Sequence, residues 1–212
     1  MAHANEKAAS WLYAEEAVLE SDTAAKQARE QAAELGIEAL SVASCAFLRA
    51  IASLPSVKTI AEVGTGTGVS GLGLLAGATG STLTSIDIEP VAQAAAREAF
   101  AAAGLRAGRY RLINGRSADI LPRLAAESYD LVLIDGDPLE AAGDVEEALR
   151  MLRPGGILLL AHALYKDLVA DPVRRDAITA ALRDLGHELL ADERVRASLL
   201  PLSDGIIMAV KQ

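Results

Sequence analysis

The stretch "AEVGTGTGVSG", residues 61–71, decides how this 212-residue chain folds. An apolar run leads into it and a segment of helical character follows it, so its glycines lie where a strand turns into a helix. Glycine permits the left-handed backbone of a tight turn and lets a ligand come close to the main chain. The stretch therefore predicts a ligand-binding loop after the first strand of a parallel sheet.

Short β-rich runs alternate with helical segments on the carboxyl-terminal side of residue 57. The runs are "KTIAEV", "STLTSID", "YRLIN", "YDLVLID" and "GILLLA". This alternation is typical of a parallel sheet with helices on both faces. A last helix is expected around residues 172–185, and Asp204-Gly205 between two apolar runs indicates a hairpin. We predict an α/β fold: a doubly wound, mostly parallel, seven-stranded sheet with a C-terminal antiparallel hairpin.

The first 55 residues follow a helical pattern instead. Two or three helices are expected, one around residues 6–20, one after Ser21-Asp22 and one from about residue 37 to residue 53. Ser21 or Asp22 could cap the second helix, and Gly36 could end it. We therefore expect a single domain, with residues 1–55 as a helical N-terminal cap and residues 56–212 as a ligand-binding α/β core.

Bulk composition excludes several classes of partner. A net charge of −9 and a pI near 4.9 oppose binding to a phosphate backbone, so nucleic acid is not expected. No apolar run approaches the roughly 20 residues that span a bilayer, so no membrane association is expected. The one cysteine, Cys45, and an N-terminus without an apolar signal segment predict a cytoplasmic protein.

A carboxylate completes the ligand site that the glycine loop begins. Asp87 ends the second β-rich run, where a carboxylate can accept hydrogen bonds from both hydroxyls of a ribose. Nicotinamide dinucleotides and S-adenosylmethionine both present such a ribose. The Gly-x-Gly-x-Gly spacing of residues 64–68 lacks the third glycine of the dinucleotide fingerprint because residue 69 is Val, and Glu62 would repel a pyrophosphate. We expect S-adenosylmethionine, with a dehydrogenase as the distant alternative.

Five stretches in this order resemble one known family: "AEVGTGTGVSGLGLL", "SIDIEP", "LINGRSADILPRL", "YDLVLIDGDP" and "LRPGGILLLAHAL". Across about residues 36–210 the chain is similar to the O-methyltransferases related to catechol and caffeoyl-CoA O-methyltransferases. The resemblance implies a class I methyltransferase fold and methyl transfer from S-adenosylmethionine to a hydroxyl of a small molecule. Because relatives often dimerise, it also implies a homodimer.

The resemblance assigns donor-binding roles to residues at strand ends and in adjacent turns. They are Leu40, Glu62, Gly64, Thr65, Gly66, Gly68, Ser70, Asp87, Ile88, Ser117, Ala118 and Asp135. Glu62 and the loop up to Ser70 would hold the methionine part, and Asp87 the ribose. Ile88 would flank the adenine, with Ser117 and Ala118 at its polar edge. Ser117 also fits a plain helix N-cap.

The metal apparatus of the relatives is altered in this chain. They are understood to bind a divalent cation through two Asp and one Asn, with a lysine near the acceptor oxygen. Asp135 matches the first ligand, but the Asp-Asn pair aligns with His162-Ala163 and the lysine with Pro138. We therefore expect transfer without the usual Mg site. If a metal is bound, Asp135 and His162 would hold it, joined by Asp137 if that side chain points inward.

His162 leaves three alternatives open. It could be a general base beside Asp135, a substitute metal ligand, or a hydrogen-bonded structural residue. His162 and Asp135 are accordingly the candidate catalytic residues. The altered residues also leave open a non-catalytic protein that binds S-adenosylmethionine as a sensor or partner subunit.

Overall fold

The structure is a computed structural model that describes residues 2–20 and 22–212, with side chains from residue 8 onward. The described residues form eight α-helices: Ala2–Glu16 (α1), Thr23–Glu34 (α2), Val42–Ala52 (α3), Val69–Gly77 (α4), Pro90–Ala102 (α5), Ser117–Ile120 (α6), Ala141–Met151 (α7) and Ala177–Ala191 (α8). No helix among them is both long enough and apolar enough to cross a bilayer.

Seven strands form one sheet in the part of the chain that the structure describes: Thr59–Val63 (β1), Thr82–Asp87 (β2), Tyr110–Asn114 (β3), Tyr129–Ile134 (β4), Leu152–Leu160 (β5), Val195–Leu200 (β6) and Ile206–Lys211 (β7). Their order is β3-β2-β1-β4-β5-β7-β6, and β7 is antiparallel to both of its neighbours while the other pairs are parallel. The predicted fold class is confirmed. Because the strand order reverses beside β1, a crevice forms at the carboxyl ends of β1 and β4.

Apolar cores cover both faces of the sheet. Leu48, Leu74 and Phe100 from α3, α4 and α5 pack on one face, and Leu149 and Leu189 from α7 and α8 pack on the other. Full burial of each such side chain contributes about 1.5–3 kcal/mol. The strands that carry the crevice are therefore held rigidly from both sides.

Local capping sets the ends of α2 as predicted. The side chain of Asp22 accepts a hydrogen bond from the N–H of Ala24 at 2.8 Å, while Ser21 lies outside the described residues. Gly36 then takes a left-handed φ of 69°, and the N–H of Ile37 donates to the carbonyl of Ala32 at 2.8 Å. This pairing closes the last turn of the helix.

Three predicted helix boundaries were wrong. The first helix is Ala2–Glu16 rather than residues 6–20, because the chain leaves it to reach the cap of α2. The third begins at Val42 rather than near residue 37, because Ser41 caps it. The last is Ala177–Ala191 rather than 172–185, because Asp176 accepts the N–H of Thr179 at 2.9 Å and caps it there. In the last two cases a cap decided the boundary.

Candidate active site

A cavity of about 310 Å³ opens at the carboxyl ends of β1, β2 and β4. Its walls include the loop after β1, the turn after β3 and residues 37–40 before α3. Its lining includes five carboxylates, those of Glu38, Asp87, Asp135, Asp137 and Glu140. Arg116 also lines it, but its guanidinium is paired with Glu140. The cavity therefore favours a cationic ligand over an anionic one.

The glycine loop is shaped by close contacts with its neighbours. Gly64 has a φ of 92°, and a Cβ placed there would lie 2.1 Å from the carbonyl oxygen of Asp135. Gly68 has a φ of 91°, and its Cβ would lie 2.9 Å from the ring of Phe100. Gly64 is therefore required where the loop crosses β4, whereas Gly68 is required by packing against α5 rather than by a ligand.

Asp87 joins the second strand to this loop. One oxygen of its carboxylate accepts the N–H of Gly66 at 2.7 Å, and the other accepts the N–H of Glu89 at 2.8 Å. Each carboxylate oxygen has a second lone pair, so the group can still accept hydrogen bonds from a ligand. The carboxylate is thus held in the cavity wall in a fixed orientation before any ligand arrives.

Glu62 lies beneath the loop and does not line the cavity. It is fully buried, and its two oxygens accept hydrogen bonds from the hydroxyls of Ser70 at 2.5 Å and Ser85 at 2.6 Å. Burial raises the pKa of Glu62 to about 7, although both hydroxyls oppose this shift. The structure therefore gives Glu62 a supporting role under Ser70, which does line the cavity.

Nine of the twelve residues assigned to the donor line this one cavity: Leu40, Gly64, Thr65, Gly66, Ser70, Asp87, Ile88, Ser117 and Asp135. Glu62, Gly68 and Ala118 lie outside its lining. Ser117 is the first residue of α6 rather than its N-cap, which is Arg116. The hydroxyl of Ser117 also interacts with Asp144. Burial raises the pKa of Asp144, and the hydrogen bond with Ser117 opposes this shift.

The helical cap closes one side of the cavity. The hydroxyl of Thr67 in the glycine loop donates to the carbonyl of Ala28 in α2 at 2.7 Å, and Arg29 donates to the carbonyl of Leu40. Lys166, in the segment after β5, forms an ion pair with Glu38 at 2.8 Å. Residues 37–40 are thus held between α2 and the end of β5.

His162 lies between two carboxylates just beyond the end of β5. Its Nε2 lies 3.1 Å from Oδ1 of Asp135, and its Nδ1 lies 2.8 Å from Oδ2 of Asp204. These hydrogen bonds raise the pKa of His162 to about 10. Burial raises the pKa of Asp135, and the hydrogen bond from His162 opposes that shift. We favour an imidazolium that donates from both nitrogens, because each nitrogen faces a carboxylate oxygen.

This arrangement bears on all three interpretations of His162. With both ring nitrogens donating, no lone pair remains to accept a proton from an acceptor, which disfavours a general base. The ring nitrogens are likewise committed to carboxylates rather than to a metal. Asp137 lines the cavity and accepts the N–H of Leu139 at 2.9 Å in the turn before α7, but it forms no three-residue ligand group with Asp135 and His162 among the described residues.

The side chains at this position differ from the two Asp and one Asn that the resemblance implies for a divalent cation. Among the described residues no group of three or more His, Cys, Asp or Glu side chains could hold a metal ion. Ala163, which the resemblance aligns with an amide ligand of relatives, is buried and offers no side-chain oxygen. Of the three oxygen ligands that the resemblance implies for Mg²⁺, this chain keeps Asp135, and the Oδ1 atom of Asp135 faces the imidazole of His162.

Asp204 is the contact that sequence reasoning missed. The Asp-Gly pair at residues 204–205 indicated a hairpin, and β6 and β7 confirm it. That turn signal explained the aspartate completely, so nothing in the sequence pointed to a partner 42 positions away. Glu38 was missed for a similar reason, because an acidic residue in a helical stretch has many ordinary explanations.

The sheet order and the glycine-loop cavity define the class of Rossmann-like methyltransferases. The sequence pattern of the O-methyltransferase family matches residues 14–212, and the chain belongs to that family. A protein of Mycobacterium tuberculosis named "Probable O-methyltransferase" is 44% identical over 202 residues, which cover 95% of this chain and 90% of the relative.

Solved structures show the same fold. A Corynebacterium glutamicum protein is 32% identical with a TM-score of 0.87, covering 98% of this chain and 97% of its own. The O-methyltransferase TomG of Streptomyces achromogenes, solved in complex with S-adenosylmethionine, is 24% identical with a TM-score of 0.85 and covers 96% of both chains. The resemblance read from the sequence motifs is therefore confirmed at the level of the family.

Proposed function

We propose that this protein transfers a methyl group from S-adenosylmethionine to a hydroxyl of a small molecule. The observation that carries the proposal is the acid-lined cavity where the glycine loop, Asp87 and Asp135 meet. S-adenosylmethionine carries a sulfonium and an ammonium, so carboxylates attract it. A dinucleotide would bring an anionic pyrophosphate to the same carboxylates. The S-adenosylmethionine bound to the Streptomyces relative supports this choice of ligand.

The cavity residues suggest how the donor would be held. Asp87, already oriented by the N–H groups of Gly66 and Glu89, has lone pairs left for the ribose hydroxyls. Ser70, oriented by Glu62, would face the methionine carboxylate. Asp135 would face the ammonium. Bound in this way, the donor would present its methyl group to an aligned hydroxyl oxygen: the sulfur–methyl bond breaks as the oxygen–methyl bond forms, S-adenosylhomocysteine leaves, and the hydroxyl proton passes to solvent.

We propose that this chemistry proceeds without a divalent cation. The support is the donor set, in which Asp135 is hydrogen-bonded to His162 and Ala163 replaces a ligand. An imidazolium between two carboxylates places a positive charge where relatives are understood to place their cation. The chain's own residues then contribute fixed electrostatics and alignment rather than a metal-bound oxygen.

Binding and turnover test the two halves of this proposal separately. S-adenosylhomocysteine should bind by calorimetry and NAD should not. Asp87→Asn should weaken binding of S-adenosylhomocysteine roughly 10- to 100-fold, because a charged acceptor is lost. Asp119→Asn, which changes a carboxylate on α6 outside the cavity lining, is the matched control and should bind normally.

For turnover, radiolabelled donor is incubated with a panel of phenols and catechols, with and without EDTA. We expect label in at least one acceptor and the same rate in both conditions. Complete dependence on added Mg²⁺ would contradict the metal-free part. Tight binding of the donor with no methylated product from any acceptor would contradict the enzymatic part.

A further inference from the structure

The turn between β6 and β7 is built against the segment that follows β5. The N–H of Ala163 donates to the carbonyl of Gly205 at 3.0 Å, and the N–H of Leu164 donates to that of Asp204 at 2.8 Å. A Cβ on Gly205 would lie 2.5 Å from the side chain of Leu164. This turn and the end of β5 therefore form one packed unit.

The segment after β5 has an unusual backbone. His162, Tyr165, Lys166 and Asp167 all have positive φ, between 44° and 63°. Such conformations are strained in non-glycine residues and persist when surrounding contacts fix them. They are typical of sites where a side chain must be held in one direction. Some contact must therefore hold residues 162–167 in place.

Asp204 provides that contact with both oxygens. Its Oδ1 accepts the N–H of Lys166, and its Oδ2 accepts Nδ1–H of His162 at 2.8 Å. The Asp204 side chain is 17% exposed, so water competes weakly for these bonds. One carboxylate thus fixes both the strained segment and the plane of the imidazole.

The imidazole passes this constraint to the cavity wall. Fixing Nδ1 on Asp204 directs Nε2 toward Oδ1 of Asp135, 3.1 Å away. Asp135 lines the cavity, whereas Asp204 and His162 do not. Resting on the function proposed above, we propose that Asp204 is a positioning residue that acts through His162 to hold the Asp135 carboxylate in the wall of the cavity.

Nitrogen NMR of the imidazoles tests the geometry without a substrate. In the 212-residue chain, both ring N–H groups of His162 should give downfield, slowly exchanging signals, while the exposed His187 should not. Asp204→Asn should abolish the Nδ1–H signal and shift Nε2–H as the bond to Asp135 loosens. Asp171→Asn, which alters an exposed carboxylate that accepts the N–H of Val173 and pairs with Arg174, is the matched control and should change neither signal.

Calorimetry with S-adenosylhomocysteine tests the consequence. Asp204→Asn should weaken binding roughly 3- to 10-fold although residue 204 is outside the cavity, because one hydrogen bond that orders Asp135 is lost. In a His162→Gln background the same change should have no further effect, which a general loss of stability would not reproduce. The proposal would be overturned if Asp204→Asn weakened binding equally in the wild-type and His162→Gln backgrounds, or if it left the imidazole signals of His162 unchanged. If wild-type protein binds no S-adenosylhomocysteine, the proposed function fails while the NMR result still decides the role of Asp204.

Discussion

Gly64→Ala is expected to damage this protein more than any ordinary glycine substitution in a turn. The residue has a φ of 92°, and the added Cβ would lie 2.1 Å from the carbonyl oxygen and 2.6 Å from the carbonyl carbon of Asp135. The left-handed conformation costs about 1–2 kcal/mol. Relief of the overlap by moving backbone costs about 1–3 kcal/mol more. The free energy of unfolding should fall by roughly 2–5 kcal/mol.

Gly80→Ala is the matched control for that experiment. Gly80 has a nearly equal φ of 86°, but a Cβ there meets nothing within 4 Å. It should therefore lose only the conformational part, about 1–2 kcal/mol. For a chain of this size each kcal/mol corresponds to roughly 2–4 °C in Tm, so the expected losses are roughly 2–8 °C for Gly80→Ala and 4–20 °C for Gly64→Ala.

Urea and thermal unfolding of both variants measure the difference, and calorimetry with S-adenosylhomocysteine adds a second reading. Gly64→Ala should also lose ligand affinity because Asp135 and Gly136 line the cavity, whereas Gly80→Ala should not. Equal losses of stability in the two variants would refute the reasoning. That result would mean that the loop does not press against the carboxyl end of β4.

Three further perturbations follow from the site and its supports. Glu62 has a pKa of about 7 in the folded chain against 4.5 when exposed, so its contribution to stability is complete below pH 4.5 and is lost as pH rises through 7. Glu62→Gln should remove about 3 kcal/mol of this pH dependence, and the same change in the free energy of unfolding between pH 4.5 and pH 7 for both proteins would contradict it. Burial alone would raise the pKa of Asp130, but hydrogen bonds from Arg153 and from residues 58–59 lower it below its usual value. Asp130→Asn should therefore cost about 2–4 kcal/mol at pH 7 and less at pH 3, because the unfolded chain takes up a proton at this carboxyl before the folded chain does; an equal cost at both pH values would count against this. The double substitution H162D/A163N supplies oxygen ligands beside Asp135. Saturating Mg²⁺ should raise the Tm of this variant by roughly 5–11 °C and leave the Tm of the wild-type protein constant, whereas no rise in the variant would show that residues 162–163 alone do not decide metal binding.

Regular features of the fold were readable from the sequence because each has a local cause. Gly36 ends α2 because only a left-handed residue closes that turn, and Asp204-Gly205 marks the hairpin for a similar reason. Buried strands read as continuous apolar runs, since both faces of a parallel sheet are covered. The start of α8 was misplaced because Pro172 and Asp176 are both plausible helix starts, and the hydrogen bond of Asp176 to Thr179 decides between them.

The site was only partly readable because sequence motifs combine packing with binding. Gly64, Gly66 and Gly68 look equivalent in the sequence, yet Gly68 faces Phe100 from α5, a residue 32 positions later. Glu62 looked like a ligand for an ammonium group but is enclosed by Ser70 and Ser85. Such differences depend on which distant element covers each residue. One sequence without its three-dimensional contacts does not contain that information in readable form.

The two halves of the site depend on different supports, which explains how one half departs from the family pattern while the other keeps it. The half that forms the cavity is built from the ends of β1, β2 and β4, which are fixed by the apolar cores on both faces of the sheet. The other half is built from residues 162–167, which lie beyond β5 and are held by the β6–β7 turn through Asp204. The resemblance implies that His162-Ala163 stand where relatives have an Asp-Asn pair, so this difference falls beyond the end of β5 and outside the lining of the cavity. By that resemblance one imidazole stands in place of two oxygen ligands, and this imidazole lies between the carboxylates of Asp135 and Asp204.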